Sequence, residues 1–143
     1  MEFDTDTQAM AAIIQALDRS NAIIEFDPDG QILQANDIFL QLMGYTLEEL
    51  RGQHHRILVE PDHAASADYQ RFWQRLRAGE FIAGEFLRIG RDGREVWLQA
   101  TYNPVLSPEG QPEKVVKIAT DTTARKLEVA HQAGMVTALD QSM

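Results

Sequence analysis

The run Arg91-Asp92-Gly93-Arg94-Glu95-Val96-Trp97-Leu98-Gln99-Ala100-Thr101-Tyr102-Asn103-Pro104-Val105 decides the fold. Val96, Leu98, Ala100 and Tyr102 fall on one side of an extended chain, and Trp97, Gln99 and Thr101 on the other. That period of two is the signature of a strand. Arg91-Asp92-Gly93 before it and Pro108-Glu109-Gly110 after it are tight turns, in which glycine supplies a positive φ. Upstream, Phe81 to Ile89 alternates loosely. Downstream, Lys114 to Thr120 sets Val116, Ile118 and Thr120 against Val115, Lys117 and Ala119. The quoted run is therefore the middle of three consecutive strands.

Outward from these strands the pattern changes. Ser66 to Ala78 is an amphipathic helix with Tyr69, Phe72, Trp73 and Leu76 on one side, ended by Gly79. Residues 53–65 read as irregular, with Pro61 inside. Thr46-Leu47-Glu48-Glu49 is a capping box that opens a very short helix. Asn36 or Asp37 caps a helix carrying Phe39, Leu40, Leu42 and Met43, which Gly44 stops. Ala22 to Phe26 and Gln31 to Ala35 form a hairpin around Asp27-Pro28-Asp29-Gly30. Residues 5–20 are a helix whose Met10, Ile13, Ile14 and Leu17 make one apolar stripe, and Asp121 to Met143 is helical in pattern. Strand runs segregated from helix runs predict an α+β fold with an antiparallel sheet. The expected organisation is an N-terminal helical cap over 1–20, a domain over 21–121 and an exit helix over 122–143.

The chain has 143 residues, a net charge of −9 and a pI of about 4.8. This acidity argues against nucleic-acid partners, whose binding surfaces are basic, and against docking on anionic lipid. Cysteine is absent, which removes disulfides, thiolate nucleophiles, cysteine zinc sites and flavin–cysteine adducts. No apolar run approaches the roughly 20 residues a membrane helix needs, and the acidic N-terminus lacks the regions of a signal peptide. A cytoplasmic location without direct membrane contact is expected. Ala16-Leu17-Asp18-Arg19-Ser20 reappears 122 residues later as Ala138-Leu139-Asp140-Gln141-Ser142, so the start of a second copy of the module is expected there.

This order of elements, with these punctuation residues, resembles the PAS sensor domain over residues 12–125. The resemblance rests on Asp29-Gly30, Ile32, Ala35-Asn36, Phe39, Gly44-Tyr45, Glu48-Glu49-Leu50 and Gly52 in the first half. In the second half it rests on Gly79-Glu80, the run Arg91 to Trp97, Pro104-Val105, Gly110 and Asp121-Thr122-Thr123. It implies a five-stranded antiparallel sheet with short helices over one face, flanked by N- and C-terminal helices. The stretch from Gly79-Glu80-Phe81 through Asn103-Pro104, and Lys114-Val115-Val116-Lys117, look like the tandem PAS repeats of bacterial methyl-accepting chemotaxis (aerotaxis-type) receptors. The implied role is a bacterial sensory module that relays ligand, redox or oxygen state through its terminal helices, without catalysis. The sensor of a histidine kinase or cyclic-dinucleotide enzyme, and a ligand-free dimerisation module, are the alternatives.

Within that resemblance, haem and FAD are the candidate cofactors, and a protein with neither stands beside them. The cofactor-binding candidates are Trp97, His55, Asp62, His63, Asn36 and Arg88. His63 is the candidate axial haem ligand, against a solvent-exposed loop histidine; adjacent His54 and His55 point apart and are poor joint ligands for one metal. Flavin-binding receptors look similar around Gly52-Gln53, His55 and Pro61-Asp62, but Glu60, Ile82-Ala83-Gly84 and Arg88 depart from them. Trp97 suits either a flavin pocket or the core. Phe39, Leu42, Met43, Trp73, Leu76, Trp97 and Ile118 are expected to line the space between sheet and helices. Asn36 caps a helix or bonds inside the cleft, and Arg56, Arg88 and Glu85 read as surface ion pairs. Asp62, His63 and Ser66 lack an oxyanion nest and make no nucleophilic set, so no catalytic residue is assigned. Asp121, Thr122 and Thr123 are expected to cap the exit helix and carry the signal out, along a weak seam of Leu127, Ala130, His131, Gly134 and Ala138. The apolar stripe of the first helix is expected to cover the outer face of the sheet or pair with its equivalent in a homodimer, and the downstream partners are the adjacent repeat and an output domain.

Overall fold

The computed structural model describes the backbone of residues 2–142 and the side chains of residues 6–132. Helix α1 (Glu2–Ser20) leads into strands β1 (Ala22–Phe26) and β2 (Ile32–Ala35). Four short helices follow: α2 (Asp37–Met43), α3 (Leu47–Leu50), α4 (Pro61–Ala64) and α5 (Ala67–Arg77). A 3₁₀ turn at His55–Leu58 sits between α3 and α4. Strands β3 (Ile82–Ile89), β4 (Glu95–Leu106) and β5 (Pro112–Asp121) complete the sheet, and α6 (Thr123–Ser142) leaves it. The strand order is β2-β1-β5-β4-β3 and each pairing is antiparallel, the expected α+β architecture.

Local chemistry fixes the short helices. Asn36 Oδ1 accepts from Phe39 N at the start of α2, and Gly44, at φ 78°, ends it in the left-handed region. Thr46 and Glu49 exchange the two bonds of the expected capping box. Ser66 Oγ accepts from Tyr69 N to open α5. Residues 53–65 are more ordered than their sequence suggests, because Pro61 sits at the first position of α4, where its missing N–H is no loss. Strand β5 starts at Pro112, earlier than expected, because the Ser107 N–Gln111 O bond closes the preceding turn.

One face of the sheet is buried. Ala22, Ile24, Phe26, Val96, Leu98, Ala100, Tyr102, Val115 and Ala119 meet Phe39, Met43, Leu50, Leu58, Tyr69, Trp73 and Leu76 from the helices. Phe39, Met43, Trp73 and Leu76 take the places expected of them, with Leu42 partly buried beside them. Trp97 and Ile118 do not. They lie on the opposite face, half-buried, because alternation sends the residues between Val96 and Leu98, and between Lys117 and Ala119, outward. The inner position of β5 that Ile118 was expected to fill belongs to Lys117.

For the first helix, one of the two expected coverings is ruled out. Every described side chain of α1, from Asp6 to Ser20, is exposed. Its stripe therefore does not cover the outer face of the sheet; Met10, Ile13 and Ile14 are each about 60% exposed. The repeated segment Ala138 to Ser142 lies in α6, but its side chains, and the packing around Gly134 of the seam, lie outside the described residues.

Candidate functional site

The inner face carries three groups that a hydrocarbon core does not need: His55 and Lys117 are fully buried and Arg88 is 3% exposed. Each is placed by its element. The hairpin turn at Asp27–Gln31 docks the segment before His55. Asp27 Oδ1 accepts from Asp29 N and Gln31 N, Ile32 N donates to Gln53 O, and His55 N donates to Gly30 O. Gly30 sits at φ +93°, and a Cβ there would stand 2.6 Å from His54 Nε2, so only glycine lets the turn and the histidine segment meet. His54 caps the 3₁₀ turn by accepting from Arg56 N, which turns the next side chain, His55, into the core.

His55 lies among Phe26, Tyr69, Phe72, Trp73 and Tyr102, at ring separations of 5.2 to 6.0 Å. Its Nδ1 lies 2.7 Å from Tyr69 Oη and its Nε2 lies 3.0 Å from Tyr102 Oη. Arg88 donates to the same Tyr102 oxygen from Nε at 3.3 Å and Nη2 at 3.0 Å. A hydroxyl that accepts from a guanidinium keeps its own proton to donate, so Tyr102 O–H donates to Nε2. The neutral imidazole then carries its proton on Nδ1 and donates to Tyr69. Burial, reinforced by Arg88 and Lys117, holds His55 well below its usual range and keeps it neutral. Burial also pushes the Tyr69 hydroxyl up to about 12 and raises Tyr102.

Lys117 faces Tyr102 across the strand pair, its Nζ 4.9 Å from that ring and 5.9 Å from the ring of Phe39. Among the described residues its Nζ has no hydrogen-bond partner. Burial and the Arg88 charge drive it well below the usual lysine range. Arg88 spans Phe86, with its guanidinium carbon 4.9 Å from that ring, and donates from Nη1 to Leu87 O. Neither cation has a carboxylate partner among the described residues. Of the surface ion pairs expected of Arg56, Arg88 and Glu85, Glu85 makes one, with Lys126 of α6; Arg88 is corrected, since it points inward, and Arg56 has no ion pair among the described residues.

The remaining expected site residues are dispersed. His63 and Asp62 are exposed on α4, where His63 joins Val59, Glu60, Glu85, Phe86, Leu87 and Arg88 around a cleft of about 340 Å³. Asn36 stands outside the cleft, tying the domain to its leading helix: Oδ1 accepts from Ile23 N and Phe39 N, while Nδ2 donates to Asp18 O and Asn21 O. Trp97 lies under the exit helix, with Lys126 Nζ 4.6 Å from its ring centre. The residues do not fit the two cofactors as the sequence arranged them. Both nitrogens of His55 are already bonded to tyrosines, His63 is on the surface, and Trp97 faces away from the interior. Tyr69, Tyr102 and Lys117 were missed as site residues. A tyrosine on an apolar stripe reads as core, and a lysine between valine and isoleucine reads as the exposed side of a strand.

The exit junction holds the three residues expected there. Asp121 Oδ1 accepts from Thr123 N, Thr123 Oγ1 accepts from Trp97 N, and Thr122 N donates to Trp97 O. The start of α6 is thereby fastened to the back of β4, the strand that presents Tyr102 to the interior.

Comparison with known proteins agrees with this architecture. A segment of the biofilm dispersion protein BdlA of Pseudomonas aeruginosa is 49% identical over 128 residues, covering 90% of this chain and 31% of that protein. The aerotaxis receptor of Escherichia coli is 35% identical over 103 residues, covering 71% of this chain and 20% of the receptor. The chain thus spans about a third or less of the length of these relatives. The crystal structure of the PAS domain of a protein from Colwellia psychrerythraea superposes with a TM-score of 0.68 at 23% identity, covering 81% of this chain and 98% of that one. The family model of the PAS fold matches residues 18–127, and with the five-stranded sheet, its helix-covered face and the exit helix all in place, the chain belongs to the PAS family.

Proposed function

We propose that this chain is the sensory module of a chemotaxis-type signalling protein in the cytoplasm, passing a change in its interior to a following PAS repeat and output domain through α6. The similarity to BdlA and to the aerotaxis receptor supports the signalling class. Among the described residues no helix is long and apolar enough to cross a membrane.

One observation carries the relay. Trp97 and Tyr102 lie on the same strand and on opposite faces, so β4 contacts the buried polar cluster on one side and the root of α6 on the other. Glu85 of β3 adds a second tie through Lys126. A shift in strand position inside must move the helix outside, and a population shift of this kind is all that sensing requires. The absence of native cysteine makes the test clean. Spin labels on Arg91→Cys and Glu128→Cys report the sheet-to-helix distance. Tyr102→Phe should redistribute that distance, whereas identical distributions in parent and variant reject the relay.

A further inference from the structure

We propose that the interior takes up a small monocarboxylate with an apolar body, its carboxylate held between Arg88 and Lys117. This deepens the sensory reading by naming the class of ligand.

Two cations stand on the inner face, one fully buried and one nearly so, and no described carboxylate neutralises either. Lys117 sits on β5, the central strand, and its Nζ is without an acceptor among the described residues. The rings of Tyr102 and Phe39 offset part of its charge but accept no hydrogen bond from it in this structure. A buried polar group without a partner is expensive, and a buried unpaired cation more so. Apolar residues of similar volume would make a more stable core, so the pair is explained by what it can bind. Arg88 brings the second charge to the same tyrosine: its guanidinium carbon is 5.9 Å from the Tyr102 ring centre, and three of its five N–H groups are used by Tyr102 and Leu87.

Arg88 also reaches a surface cleft, which it lines together with Val59, Glu60, His63, Glu85, Phe86 and Leu87. The half-buried Phe86 ring lines that cleft and lies 5.3 Å from the Tyr102 ring. Of the two carboxylates of the cleft, Glu85 is paired with Lys126. A carboxylate head therefore meets Arg88 first and Lys117 beyond it once Phe86 turns aside, while an apolar tail finds Val59, Phe86 and Leu87. Binding would give Lys117 the partner it lacks and press on β3 beside Glu85, which is tied to α6.

Benzoate and hexanoate are the probes, with benzamide and hexanamide as uncharged matches and inorganic phosphate as the competing anion. On the whole chain, at least one of the two carboxylates should raise the unfolding midpoint in proportion to the logarithm of its concentration, and its amide should not. Lys117→Met should raise the midpoint in the absence of carboxylate and abolish the response; Arg88→Met should also abolish it, as a second variant should the first fold poorly. Equal responses to carboxylate and amide, a response to phosphate alone, no response to either carboxylate, or a response that survives Lys117→Met would each overturn the proposal. The readout is binding, independent of helix movement, so a failure here leaves the label-distance test of the relay standing and the reverse.

Discussion

His55 shows how one residue can set a pH response from inside a core. Its folded form is held neutral by burial and by the Arg88 and Lys117 charges, with His54 and His63 adding to the same effect. The unfolded chain protonates near the ordinary value of 6.5, while the folded chain does so only well below it. Unfolded protein therefore binds more protons as pH falls below 6.5, and folding stability falls with it; above 6.5 this contribution is fully present. His55→Gln, which keeps hydrogen-bonding capacity without a titrating ring, should flatten the stability–pH curve below 6.5 by the share of one proton, even as it lowers stability at neutral pH. Urea unfolding across that range measures it, and a slope unchanged by the substitution would mean that His55 does not control acid sensitivity. The sequence pointed to His55 but not to its role. A histidine in an apparently irregular, polar stretch carries no mark of burial; only the docking of the Gly30 turn on residues 53–55 turns it inward.

At the level of elements, the order of helices and strands was legible because each signal is local. Alternation in Glu95–Leu106, the capping box at Thr46 and Glu49, and Gly44 closing α2 act within a few residues of themselves. Which face of a strand points inward is decided by partners far away in sequence. Val116 and Ile118 outweigh Lys117 on hydrophobicity, yet the antiparallel register with β1 and β4 puts Lys117 beside Tyr102 and inside. The exit junction mixes both kinds. Its cap was legible, and its fastening to Trp97 was not, since that tie spans 26 residues of sequence. Asp121→Ala removes only the local part and should cost about 1 kcal/mol, the usual worth of such a cap. Chemical denaturation checks the magnitude; a loss several times larger would mean that Asp121 holds the sheet end together rather than the start of the helix.

For the whole molecule, the two terminal helices matter most because their described side chains, from Asp6 to Ser20 in α1 and from Ala124 to Gln132 in α6, are exposed. The α1 stripe Met10, Ile13, Ile14 and Leu17 recurs on one helical face, and Leu127 and Val129 are exposed on α6. We propose that this stripe is buried against its own copy in a two-fold dimer. The Ile13→Asp, Leu17→Asp double variant should sediment as a monomer with an unchanged fold, and a parent chain that is monomeric at high concentration rejects the dimer. In such an assembly α6 acts as a lever only if its rotation is transmitted, since Thr123 is fixed to β4 at one end and a following module would take its orientation from the other. Two residues inserted after Arg125 rotate everything downstream by about 200° at 3.6 residues per turn, whereas seven bring the helix face nearly back into phase. Signalling by the protein that carries this domain should therefore fail with the two-residue insertion and largely survive the seven-residue one. Equal behaviour of the two insertions would make α6 a tether that holds modules together without setting their angle.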